Sequence, residues 1–209
     1  VSMENIGVEY IAASARAAGH RCAIVNAGLY GLSTGDVVEI VRRSRFRVLG
    51  ISTIHWTMPA ALEIAEAAKR RHPGGHVIFG GLEAALDAER ILREHPFVDS
   101  VGLGEGEKTT AALLGALAGG EDWREIAGLA WRDGLSVRRS RTPRLIDPLD
   151  DLQMPRGEGV AVRRRDPHGH VAQPLEVRQR LLVHRRADGR RASEQRPMVR
   201  QHAQRTGAS

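Results

Sequence analysis

Four short apolar runs recur at nearly even spacing along the first half of the chain: RCAIVN (21–26), RVLGIS (47–52), HVIFGG (76–81) and VDSVGLG (98–104). Each is rich in β-branched residues and ends in Gly, Ser or Asn, where a backbone can turn. Helical patterns occupy 4–18, 35–44, 59–71, 84–94 and 107–118. In the third of these, Ala61, Ile64, Ala65 and Ala68 share one face while Glu63, Glu66, Lys69 and Arg70 share the other. Apolar runs of this kind need cover on both faces, and helices alternating with strands supply it. The pattern therefore predicts an α/β fold with a doubly wound parallel sheet built on these four strands. After Gly119 the pattern changes. IAGLAWRDGLSVRR sets Asp133-Gly134 between two alternating segments, which predicts a tight C-terminal β-hairpin.

Charge divides the chain in two. Residues 1–150 hold 18 Lys+Arg against 19 Asp+Glu, whereas residues 151–209 hold 13 Arg and no Lys against 6 Asp+Glu. All eight aromatic residues precede position 132. The stretch 156–209 thus has neither the large apolar groups nor the periodicity that could offset the ordering entropy of about 1–2 kcal/mol per residue. It is expected to be a disordered, Arg-rich tail following a folded unit at 1–155. Clustered arginine suits phosphate, but no aromatics are interleaved for base stacking, so nucleic acid is not the expected partner. Arg, Ala, Gly, Pro and His without Lys or aromatics is also the composition that an out-of-frame translation of a G+C-rich gene tends to produce, and frame loss is the expected origin of the tail.

Other classes are narrowed quickly. No apolar run approaches the roughly 20 residues that span a bilayer, and no signal-peptide pattern opens the chain. Cys22 is the single cysteine, so there is no disulfide framework and no cysteine-based metal cluster. A cytoplasmic setting is expected.

In an open α/β sheet, ligands bind outside the carboxyl ends of the strands. Here those ends are the loops 26–31, 52–56, 80–83 and 102–107. The last lies within VDSVGLGEGEKTT (98–110), which invites comparison with a phosphate loop. Such a loop needs Gly-Lys adjacency, and Glu107 separates Gly106 from Lys108. Glu105 and Glu107 would also repel a polyanion at short range. Taken alone, the stretch is a glycine turn with Glu107 opening a helix near its positive end. Its position at a ligand-facing edge favours a role in lining a crevice.

Residues 4–155 resemble the cobalamin-binding domain found ahead of the catalytic barrel in cobalamin-dependent radical-SAM proteins. Five pieces carry the resemblance, in the family's order: NIGVEYIAASARAAGHRCAIVNA, VLGISTIHWTMPAALEIAEAAKRRHPGGHVIFGG, VDSVGLGEGEKTTAALLGAL, IAGLAWRDG and LIDPLDDLQMP. The resemblance implies a Rossmann- or flavodoxin-like fold that binds cobalamin. Ser52, Thr53 and Ile54 sit where related domains place a Ser-x-Leu loop around the nucleotide tail. Gly80 and Gly81 match a Gly-Gly pair that admits close backbone approach to that tail, as a missing Cβ allows. Gly104, Glu105 and Gly106, with Glu107, match the family's GEGE loop. These residues, Ser52 through Gly106, are the implied cofactor-binding set, with no catalytic and no metal-ligating residue among them.

Two departures from the family bear on function. The chain starts inside the first helix, so the first strand and its loop are expected to be absent, and no cobalt-ligating histidine is assigned. Asn26-Ala-Gly-Leu-Tyr-Gly31 mimics the D-x-H-x-x-G motif, but it follows the second strand and places Gly28 where the histidine would be. His20, His55, His72, His76 and His95 read as surface or helix-end residues, with His55 alone at a ligand-facing strand end. At the other end, the family continues into a barrel whose C-x-x-x-C-x-x-C thiolates hold an iron–sulfur cluster. No cysteine follows Pro155, and such clusters need thiolates. The cluster and S-adenosylmethionine are therefore implied only for full-length relatives, and this chain is not expected to perform radical chemistry alone. The implied function is a cobalamin-binding domain from a protein of methyl transfer or radical rearrangement. Two other readings stay open: a stand-alone module presenting cobalamin to a separate enzyme, and a flavodoxin-like domain for another ligand or a protein partner.

Overall fold

The computed structural model describes residues 6–142 together with Ile146, Leu152, Met154 and Pro155. Seven helices and five strands are assigned among the described residues. In chain order they are α1 (Ile6–Ala17), α2 (Ala27–Tyr30), α3 (Thr34–Arg43), β1 (Val48–Ser52), α4 (Met58–Arg71), β2 (His76–Gly80), α5 (Leu82–Leu86), α6 (Ala88–Glu94), β3 (Ser100–Gly102), α7 (Gly106–Gly119), β4 (Leu129–Asp133) and β5 (Ser136–Arg139). Short 3₁₀ turns at His55–Thr57 and Trp123–Glu125 complete the list.

The strands form one sheet in the order β1-β2-β3-β4-β5. β1, β2 and β3 run parallel, with Gly50 beside Ile78, Ser52 beside Gly80 and Ile78 beside Ser100. β4 and β5 are the expected hairpin, antiparallel to each other, and β4 joins the sheet antiparallel to β3. Gly134 at its turn has φ +60°, a conformation that favours a residue without a Cβ.

Alternation along the strands sends side chains to two cores. Val77, Phe79 and Val101 pack with Ala61 and Ala65 of α4 and with Ile91 and Leu92 of α6. Ile78 and Val48 face the other way, toward Leu113 and Leu117 of α7 and toward Trp131. Helices thus cover both sheet faces, as fully apolar strands require. Burying each large side chain such as Phe79, Ile91 or Leu113 contributes about 1.5–3 kcal/mol, and all three are completely buried. α3 begins with a capping box in which Ser33 Oγ accepts from the Asp36 N–H and the Asp36 carboxylate accepts from the Ser33 N–H.

Three expectations are corrected. The run 21–26 is not a strand. A strand needs a hydrogen-bonded neighbour, and among the described residues β1 pairs with β2 alone and lies at the sheet edge. Val25 instead packs with Val37, Val41 and Ala68, while the Cys22 carbonyl accepts from Arg16 Nη2 at 3.1 Å. The helical pattern at 84–94 is divided into α5 and α6 at Asp87. His76 is not a surface residue: it is 8% exposed on β2, with Nε2 2.8 Å from Ser100 Oγ and its ring edge-on to Trp123. The tail expected at 156–209 lies outside the described residues.

Candidate functional site

The carboxyl ends of the parallel strands β1, β2 and β3 carry Ser52, Gly80 and Gly102, with Ser52 and Gly80 paired across the sheet. The loops after these strands add Thr53, Ile54, Gly81, Gly104, Glu105 and Gly106. Residues separated by more than 50 positions in sequence therefore share one edge, as the parallel arrangement requires. What each contributes differs.

Gly80 points its missing side chain into open space: a Cβ there would meet nothing within 4 Å. One strand over, a Cβ on Gly50 would meet only Ile78 Cγ2 at 3.8 Å. Gly50, Ser52 and Gly80 belong to the sheet face that also carries Val48 and Ile78, the face covered further down by α7. At Gly50 and Gly80 no side chain covers the backbone of that face. Gly50 lies outside the loops expected at this edge. The available signal was a glycine inside the β-rich run RVLGIS, since strand glycines mark close approach of a ligand or another backbone.

Gly81 plays a different part. It has φ +91°, and a Cβ would fall against the Thr53 carbonyl oxygen and lie 3.0 Å from the Thr53 nitrogen. Thr53 is fully buried, and both its N–H (2.8 Å) and its hydroxyl (3.0 Å) donate to the Gly80 carbonyl. Gly81 and Thr53 thus lock the first two crevice loops together, whether or not a ligand is present. Gly106 is also held by packing: a Cβ would sit 2.7 Å from Ile11 Cδ1 of α1. Gly104 supplies a turn with φ +91°. Ile54 is 44% exposed, its N–H donating to Thr57 Oγ1 at 3.0 Å.

Glu105 stands at the N-terminal boundary of α7 yet makes no side-chain cap bond. Its Oε2 accepts instead from the Ile146 N–H at 2.8 Å. Lys108 is exposed in the first turn of α7. His55 Nδ1 lies 3.1 Å from Glu83 Oε1, linking the loops after β1 and β2 at the surface. Around these loops stand the exposed apolar side chains of Ile54, Trp56, Leu82 and Leu86. No cluster of three metal-ligating side chains occurs among the described residues, and no helix among them is long and apolar enough to cross a membrane.

Comparison with known proteins identifies the family and the fold. Residues 1–114 match the model of the B12 binding domain. The uncharacterized methyltransferase PH0819 of Pyrococcus horikoshii is 29% identical over 150 residues, covering 72% of this chain and 32% of that protein. The cobalamin-dependent radical SAM methyltransferase TokK of Streptomyces tokunonensis is 30% identical over 105 residues, covering 48% of this chain and 15% of that protein. The radical S-adenosylmethionine methyltransferase TsrM of Kitasatospora setae, solved with cobalamin and a [4Fe-4S] cluster, superposes with a TM-score of 0.60 at 14% identity, over 73% of this chain and 28% of that one. The chain spans about a third or less of the length of these relatives. With over half its length matched, on a sheet whose carboxyl edge is lined by glycine and serine, the chain belongs to the B12 binding domain family.

Proposed function

We propose that the chain binds cobalamin at the carboxyl edge of its sheet, with Gly50, Ser52 and Gly80 lying against the nucleotide tail and the Gly104 loop closing one side. The observation that carries this reading is the bare backbone at Gly80, where a Cβ would meet nothing within 4 Å. A bulky, largely uncharged tail needs close backbone approach and a few hydrogen bonds, which Gly and Ser allow. The exposed apolar groups of Ile54, Trp56, Leu82 and Leu86 suit the broad face of a macrocycle better than they suit water.

Thr53 and Gly81 hold the first two loops at a fixed separation, and Gly106 allows α1 to close over the start of α7. Bound cobalamin supplies a cobalt centre able to carry a methyl group or exchange electrons. In a longer protein the domain would present that centre to a radical-SAM barrel, for methyl transfer or a radical rearrangement; similarity to the methyltransferases TokK and TsrM supports the first. The 209 residues contain one cysteine, too few for the cluster such a barrel holds, so barrel chemistry is assigned to the longer protein.

The test is retention of the corrin. Chain incubated with hydroxocobalamin and passed through gel filtration is expected to elute with corrin absorbance at the protein peak. Elution of protein without it would refute the reading and favour a flavodoxin-like domain for another ligand.

A further inference from the structure

The segment after the hairpin returns to the ligand edge. Past β5, the Arg141 carbonyl accepts from the Gly128 N–H at 2.9 Å, which places the outgoing chain beside the carboxyl end of β3, since Gly128 in turn accepts from the Leu103 N–H at 2.7 Å. Ile146 is then 6% exposed, and its N–H donates to Glu105 Oε2 at 2.8 Å. Further on, Met154 Sδ receives the Tyr10 hydroxyl of α1 at 3.4 Å. Glu105 is at the N-terminal boundary of α7, where the helix dipole favours an acidic group. Its side chain makes no cap bond to that helix. Its carboxylate instead joins two segments 41 residues apart.

We propose that Glu105 is a positioning residue, a latch that holds the outgoing segment at Ile146 against the Gly104 loop and so sets the direction in which the chain leaves the domain. The inference goes beyond cobalamin binding and does not rest on it. A carboxylate accepting a buried backbone N–H is a strong, directional bond, and Ile146 adds an apolar anchor next to it. Movement of the crevice loop is thereby passed to whatever follows position 146, and movement of that segment is passed back.

Hydrogen exchange followed by mass spectrometry on the full 209-residue chain, without added cofactor, tests this. In E105A the Ile146 amide is expected to exchange at least tenfold faster than in the wild type, while the amides of His76–Gly80 keep their protection. E105Q retains a side-chain carbonyl that can accept the same N–H and is expected to restore most of the protection at Ile146. Unchanged exchange at Ile146 in E105A would overturn the latch. Equal acceleration at Ile146 and in His76–Gly80 would overturn it too, because Glu105 would then be a general stabiliser of the fold. Loss of protection in E105Q as complete as in E105A would show that an acceptor at this position does not hold the segment.

Discussion

Adjacent glycines at positions 80 and 81 look interchangeable in the sequence, but their surroundings make them opposites. A side chain on Gly80 enters open space, whereas one on Gly81 collides with the Thr53 backbone in a conformation, φ +91°, that β-branched residues avoid. Gly80→Val is therefore expected to leave the melting temperature nearly unchanged and to weaken hydroxocobalamin binding by at least about tenfold, or about 1.4 kcal/mol, measured by corrin retention or titration. Gly81→Val is expected to cost about 1–3 kcal/mol through backbone strain alone, lowering the melting temperature by about 2–4 °C for each kcal/mol in a chain of this size. Lys108→Ala is expected to change neither property, since Lys108 is exposed on α7.

At the amino ends of β2 and β3, opposite the ligand edge, a polar cluster adds to the apolar packing among α4, β2 and β3. Lys69 of α4 donates to both carboxylate oxygens of Asp99 at 2.7 and 2.8 Å and to the Gly75 carbonyl at 2.7 Å, while Asp99 also accepts from the Val77 N–H at 2.7 Å. The two side chains are 24% and 26% exposed, between the surface pairs that contribute about 0–1 kcal/mol and the buried pairs whose disruption costs about 3–5 kcal/mol. Lys69→Met is accordingly expected to destabilise the fold by about 1–3 kcal/mol in urea unfolding. Beside this pair, burial pushes the pKa of His76 below its ordinary value of 6.5; Lys69 and Arg124 push the same way and Asp99 opposes them. An unfolded chain takes up a proton near pH 6.5 while the folded one resists it. Stability is therefore undiminished above that value and is lost as the pH falls below it. Melting temperature is expected to fall as the pH drops from about 6.5 to about 5.5, above the range where ordinary carboxylates titrate, and the slope is expected to flatten in His76→Gln.

For the whole molecule, the contrast between the two parts of the sequence yields its own expectation. All eight aromatics and the strand–helix alternation lie before position 132, and residues 157–209 are Arg-rich with no aromatic at all. Deleting 157–209 is expected to leave the melting temperature and corrin retention of the remainder unchanged. A fall in either would show that the Arg-rich stretch contributes to the folded unit.

Local chemistry was enough to predict much of this protein. The apolar runs at 47–52, 76–80 and 98–102, the amphipathic helices between them and the Asp133-Gly134 turn each act through near neighbours in sequence, and each appears in the structure. The gathering of Ser52, Gly80 and Gly104 at one edge was also legible, because parallel strands alternating with helices leave their carboxyl ends on the same side. Tertiary structure decided what depends on partners distant in sequence. RCAIVN has strand composition but pairs with no strand among the described residues, so it forms no ladder. His76 reads as an ordinary polar residue until β3 sets Ser100 against it and Trp123 covers its ring. Gly80 and Gly81 differ because only Gly81 has Thr53 against its α-carbon, and Glu105 holds the Ile146 N–H from 41 residues away. A side chain's propensity travels with the residue, but what it touches is set only when the sheet has brought its neighbours together.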